Sequence, residues 1–194
     1  MSPHEEKADS LLGGTAPGMQ DGPPSTSKYL SMDAEISACG QYRYSLTRRF
    51  SPGDRTVVFV GLNPSTADAR VDDATIRKCV GFVRRWGADR LVMANVCAWR
   101  SRHPKEMQRA DDPVGPENEG RLRDLVASAE IVVAAWGQNK LPFRAQRLAR
   151  WVLGLPNAYC LGTNADGTPR HPLFVPYDTP LQAAVVDGGA QGDA

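Results

Sequence analysis

The stretch Val57-Val58-Phe59-Val60-Gly61-Leu62-Asn63-Pro64-Ser65-Thr66-Ala67-Asp68 decides how the rest of the chain is read. Its four consecutive apolar residues, rich in β-branching, predict a strand buried on both faces, and Gly61, Asn63 and Pro64 stop that strand before a polar turn. In open α/β sheets ligands bind in the crevice outside the carboxyl ends of the strands, so Asn63 stands where a site is expected. An Asn before Pro is also a common turn former, and this stretch alone leaves the two readings level.

Moving toward the C-terminus, Asp72 and Asp73 can cap a helix from about Ala74 to Trp86. Ile76, Val80 and Val83 share its inner face, Arg77, Arg84 and Arg85 lie mostly on the outer one, and Gly87 ends it. Residues 91–96 form a second buried strand, which finishes in the polar-aromatic loop Trp99-Arg100-Ser101-Arg102-His103-Pro104. Pro104 or Pro116 can open helical segments, and residues 116–128 read as a helix with Leu122, Leu125 and Val126 inward. Residues 131–135 are a third strand, closed by Trp136-Gly137-Gln138. An amphipathic helix over 144–153 ends at Gly154 and leads to a short fourth strand over 158–162, then to a loop carrying His171. Upstream, Tyr42, Tyr44 and Leu46 alternate with polar residues and predict a half-exposed antiparallel edge strand.

This alternation predicts a three-layer α/β/α sandwich around a central, mainly parallel four-stranded sheet. Right-handed crossovers then put the four post-strand loops along one sheet edge. Those loops hold Asn63, Asn95, Trp136 with Gly137, and His171.

The 194 residues suit one domain, and 41% hydrophobic with 23% charged residues is ordinary for a soluble protein. No apolar run approaches the roughly 20 residues that span a bilayer, and the N-terminus lacks the basic-then-apolar order of a secretory leader. The expectation is a cytoplasmic protein with no membrane partner. Residues 1–28 and 181–194 read as flexible tails flanking a single domain over 29–180. Residues 29–178 hold 21 basic and 16 acidic side chains, a net of +5, compatible with a polyanionic partner without demanding one. Cys39, Cys79, Cys97 and Cys160 are scattered, with no C-x-x-C pair, and read as reduced thiols rather than as disulfides or a zinc site; no metal is expected.

Each loop residue has a plain explanation: Asn63 as a turn residue, Asn95 as a satisfied buried amide, Trp136 as core, His171 as an exposed histidine. Their common position at strand ends raises the functional reading. The chain has no G-x-x-x-x-G-K-[ST] phosphate loop, no G-x-G-x-x-G and no G-x-S-x-G elbow. Amides, a tryptophan and a histidine suit a planar polar heterocycle, since Asn offers both donor and acceptor to a base edge and His can stabilise a developing anion.

In order and spacing, Gly61-Leu62-Asn63-Pro64, Asn95 at a strand end, Ala135-Trp136-Gly137-Gln138 and His171-Pro172 resemble the motifs of the uracil-DNA glycosylase superfamily. The finer pattern of residues 62–68, Asp72-Asp73-Ala74-Thr75-Ile76-Arg77 and Arg170-His171-Pro172-Leu173 resembles the bacterial and phage domain-of-unknown-function family 1643. The resemblance covers about residues 40–178. It implies a glycosylase-like fold, DNA as partner, single- or double-stranded, and hydrolysis without a cofactor, by a monomer. It places Asn63 where the attacking water is oriented, Asn95 on the Watson–Crick edge of the base, and His171 as donor to the leaving base. A flipped base needs an aromatic wall, for which Trp99 or Phe82 is the candidate, and Trp136 is a further base-binding candidate. Arg77, Arg100, Arg102 and Lys105 are candidate phosphate contacts, or else solvated charges. Asp72 and Asp73 are a helix cap by preference, or readers of a modified base; Ser65, which opens the departure Ser65-Thr66-Ala67-Asp68 from characterised glycosylases, is left without a role. The leading function is base excision from DNA. The alternatives are a non-catalytic module for nucleic acid or a modified base, and hydrolysis of a free nucleoside or nucleotide.

Overall fold

A computed structural model of the chain describes residues 28–65 and 69–185. In chain order the elements are β1 (Ser31–Ile36), β2 (Arg43–Arg49), β3 (Thr56–Gly61), α1 (Ala74–Arg85), β4 (Arg90–Asn95), α2 (Pro104–Arg109), α3 (Asn118–Ala127), β5 (Ile131–Ala134), α4 (Phe143–Leu153), β6 (Ala158–Cys160), a 3₁₀ turn (Pro172–Phe174) and β7 (Gln182–Ala183).

Every residue of β3 is buried, as a β-branched run with no polar face must be. Val58 and Val60 point to one face of the sheet and pack with Leu122 and Val126 of α3 and Leu148 and Val152 of α4. Val57 and Phe59 point to the other and pack with Ile76, Val80, Phe82 and Val83 of α1. The period-2 alternation of strand side chains thus serves two separate cores, and the helices lie in layers on both faces.

The sheet is larger than the predicted four strands: it is a mixed seven-stranded sheet of order β1-β2-β4-β3-β5-β6-β7. Its middle, β4-β3-β5-β6, is parallel throughout. The segment expected at a half-exposed edge is β2, and it lies inside the sheet. It pairs antiparallel with β1 on one side and, with Leu46 opposite Met93, with β4 on the other. Both of its faces are covered, so Arg43, which alternation would send to solvent, is buried, as is Arg48 on the face of Tyr44 and Leu46. β7 pairs antiparallel with β6 and lies in the stretch expected as a C-terminal tail. The expected N-terminal tail falls outside the described residues except for Lys28.

Asp73 caps α1, its carboxylate accepting from Ile76 N at 2.8 Å. Among the described residues, no helix is long and apolar enough to cross a membrane. Cys79, Cys97 and Cys160 are buried free thiols, and Cys39 is exposed in the β1–β2 turn.

Candidate functional site

The carboxyl ends of β3 and β4 and the loop after β5 meet the His171 turn and the start of α1 around a cavity of about 190 Å³. Gly61 and Asn95 are register partners across β3 and β4 and share its floor. Of the residues singled out from the sequence, Asn63, Ser65, Asp73, Asn95 and His171 line it together.

Asn95 is 3% exposed, and its Nδ2 has no hydrogen-bond partner among the described residues. A buried amide donor left unmade costs about 1–3 kcal/mol, so one in a cavity wall is available to an acceptor, water or ligand, inside the cavity. Its position is held from behind by Asn118, the first residue of α3, whose Nδ2 donates to the Asn95 carbonyl at 3.0 Å. From the front, Gly61 leaves the necessary room: a Cβ there would stand 2.9 Å from Asn95 Oδ1.

Asn63 uses its amide nitrogen structurally. Nδ2 donates to Ser101 O at 2.9 Å and Pro64 O at 3.2 Å, tying the loop after β3 to the loop after β4. The side chain therefore offers the cavity its acceptor oxygen.

His171 precedes the 3₁₀ turn, and the Leu173 N–H donates to its Nδ1 at 3.3 Å. With Nδ1 accepting, the proton of the neutral ring resides on Nε2. Burial pushes the imidazole below its ordinary pKa, against the opposing pull of Asp73, so the ring is a neutral donor at pH 7. The loop after β5 reaches this histidine because Gly137 adopts φ +70° and a Cβ on it would meet His171 Cβ at 3.1 Å.

Asp73 brings a carboxylate to the cavity while also capping α1 and accepting from Ser65 Oγ at 2.8 Å. Asp72, its neighbour, is not at the cavity. It forms an ion pair with the fully buried Arg48 at 2.8 Å and accepts from the Tyr29 hydroxyl. Burial alone would raise its pKa, but those two partners outweigh burial and hold the carboxyl below its usual range.

The three aromatic candidates lie elsewhere. Phe82 is fully buried in the α1-side core against Trp86 and Tyr177. Trp136 is 2% exposed in the opposite core. Trp99 packs edge-on against Tyr42, with ring centroids 5.5 Å apart. Leu62, Ile76, Met93 and Pro172 supply the apolar lining of the cavity instead. Among the candidate phosphate contacts, Arg77 donates to Asp72 O at 2.7 Å and Arg100 to Gly40 O at 2.9 Å. Arg102 and Lys105 are exposed beside Pro104, which lines the cavity.

Arg43 and Asn139 complete the lining, and sequence reasoning missed both. Arg43 is 3% exposed, and burial takes its pKa down to about 10 against the attraction of Asp73, so it remains a cation at neutral pH. Its sequence signal was hidden by the Tyr-Arg-Tyr alternation, which reads as a polar outer face. Asn139 sits two residues beyond Gly137 and donates to Trp136 O at 3.2 Å, which again leaves an oxygen for the cavity.

These features define an α/β protein with a cavity lined by amides, an imidazole and apolar side chains at the carboxyl ends of its parallel strands. Residues 43–173 match the family described as "Protein of unknown function (DUF1643)", and the chain belongs to that family. No curated protein and no solved structure matches it.

Proposed function

We propose that the chain is a DNA base-excising N-glycosylase, hydrolysing the bond between the sugar and a uracil-like or modified base drawn into this cavity. The observation that carries the reading is the buried, unpartnered Nδ2 of Asn95 in the same wall system as the neutral His171. Two fixed donors in one small cavity suit a heterocycle with carbonyl acceptors. The resemblance of the strand-end motifs to the uracil-DNA glycosylase superfamily supports the same assignment.

In the proposed reaction the Asn63 oxygen orients a water toward the anomeric carbon; it has no carboxylate with which to act as base. The water oxygen bonds to that carbon as the glycosidic bond breaks, and the bonding pair leaves with the base. Positive charge develops on the sugar and negative charge on the base. The Asp73 carboxylate stabilises the first electrostatically, while His171 Nε2–H and Asn95 Nδ2–H stabilise the second, more strongly in the transition state than in the ground state. The departing base or solvent takes the proton of the water, giving a free base and an abasic sugar. No bound cofactor is required by these steps.

The test is formation of abasic sites in DNAs carrying uracil, hypoxanthine or hypermodified bases, read as alkali-sensitive strand breaks. Breaks that disappear in Asn63→Ala and His171→Ala are the expected result. No breaks on any of these DNAs, with binding retained in both variants, would replace the enzyme with a binding module. Arg43 favours one competing reading, hydrolysis of a free nucleotide, because a buried guanidinium suits a phosphate. Release of base from mononucleotides but not from DNA would select it.

A further inference from the structure

Asn139 and His171 have a second side. They also line a larger, more open cavity of about 470 Å³, completed by Gly137, Gln138, Asn164, Arg170 and Phe174. The two cavities therefore meet at a common wall.

The contents of the second cavity differ from those of the first. Phe174 is 82% exposed, and a single exposed aromatic ring needs no explanation on its own. Here, however, the ring is carried on a hydrogen-bonded turn beside the first cavity: Phe174 closes the Pro172–Phe174 turn, its N–H donates to His171 O at 3.2 Å, and its ring lies 5.8 Å from the His171 imidazole. Arg170, on the other side of His171 in sequence, donates through Nε to Thr163 O at 3.0 Å, and its terminal nitrogens bond nothing else among the described residues. An open aromatic face, a cation and amide groups around one concavity are the parts from which single-strand sites are made: bases stack on the ring and the backbone phosphate meets the charge.

We propose that this second cavity is a stacking subsite for the nucleotide next to the one held in the first, so that the ligand is a single DNA strand rather than a free nucleoside. The inference rests on the first cavity being a nucleobase site. Stacking on Phe174 would hold the neighbouring base while the Arg170 guanidinium bonds the phosphate between the two nucleotides. His171, between the cavities, would then sit beside the sugar that joins them.

The test uses the full chain and a fluorescein-labelled single-stranded DNA oligonucleotide containing one deoxyuridine, with binding read by anisotropy, beside free deoxyuridine read by calorimetry. Phe174→Ala should weaken oligonucleotide binding about tenfold or more, Phe174→Trp should preserve it, and neither should change deoxyuridine affinity. Arg170→Ala should weaken oligonucleotide binding and flatten its salt dependence by about one phosphate contact. A 2-aminopurine placed beside the deoxyuridine should be quenched on binding to the native protein and not to Phe174→Ala. Phe174 is exposed, so thermal melts of its variants should match the native protein. Unchanged oligonucleotide binding in Phe174→Ala, or no strand binding by the native protein, would overturn the subsite. Asn95→Ala reports on the first cavity separately: if strand binding ignores that change yet depends on Phe174, the base pocket falls, and with it the paired subsite, leaving Phe174 as part of a strand-binding surface alone.

Discussion

Gly61 and Asn95 face one another across the parallel β3–β4 pair, and the missing side chain of the first is what lets the second keep its amide in the cavity floor. A methyl group at Gly61 would press on Asn95 Oδ1 from 2.9 Å. Gly61→Ala should therefore act on the ligand rather than chiefly on the fold. We expect ligand affinity to fall by about tenfold or more, the worth of one hydrogen bond to a buried donor, with global stability reduced by no more than about 1 kcal/mol. Calorimetric titration beside a denaturant melt separates the two. An equal loss in Asn95→Ala, and no further loss in the double variant, would show that both act through one contact.

Asp72 and Asp73 are adjacent in sequence and should fail differently. Asp72→Ala removes the carboxylate opposite Arg48, whose side chain is fully buried, and should cost about 3–5 kcal/mol in a chemical-denaturation midpoint analysis. At a temperature where the variant stays folded, its ligand affinity should equal that of the native chain, because Asp72 does not line the cavity.

Asp73→Asn keeps an oxygen for the helix cap but removes the negative charge facing His171 and Arg43. Its stability should stay within about 0.5 kcal/mol of native, whereas Asp73→Ala should lose about 1 kcal/mol through the orphaned Ile76 N–H. Both substitutions should lower the His171 pKa further, since the attraction opposing burial is gone. NMR titration of the imidazole reads this shift.

His171 also predicts a pH dependence of stability. Its folded pKa lies below the ordinary 6.5, so the unfolded chain takes up the proton first. This residue leaves stability untouched above about pH 6.5, and stability then declines as pH falls from there toward the lowered folded value. His171→Gln should remove that component of the slope between pH 8 and pH 5 in urea melts. An unchanged slope would mean that the imidazole is as accessible to protons folded as unfolded.

The convergence of Asn63, Asn95 and His171 was legible because Asn63 follows β3, Asn95 ends β4 and His171 lies in the loop after β6, and parallel strands put their carboxyl ends on one side. Asp73 was legible as a cap for the same local reason. The sheet extension was not. Tyr42, Tyr44 and Leu46 alternate as a one-sided strand does, and nothing local says that β1 pairs along its outer edge or that both of its faces are buried. Arg43 was lost with it. The aromatic candidates lie away from the cavity: Trp99 and Trp136 follow strand ends yet pack with the core beneath their loops, and Phe82 is on the buried face of α1. Asn118 and Asn139 had no signal beyond being amides near helix starts or turns, and only the fold brings them beside Asn95 and His171.

β2 has one more implication. The strand–helix alternation of the parallel core supplies the amides and the imidazole, but the cation of the cavity comes from a hairpin laid against the outside of β4. Recognition of shape and recognition of charge are therefore inherited on different segments of the chain. Within the family, replacement at position 43 offers a route to a ligand of different charge that leaves the amide-bearing wall untouched.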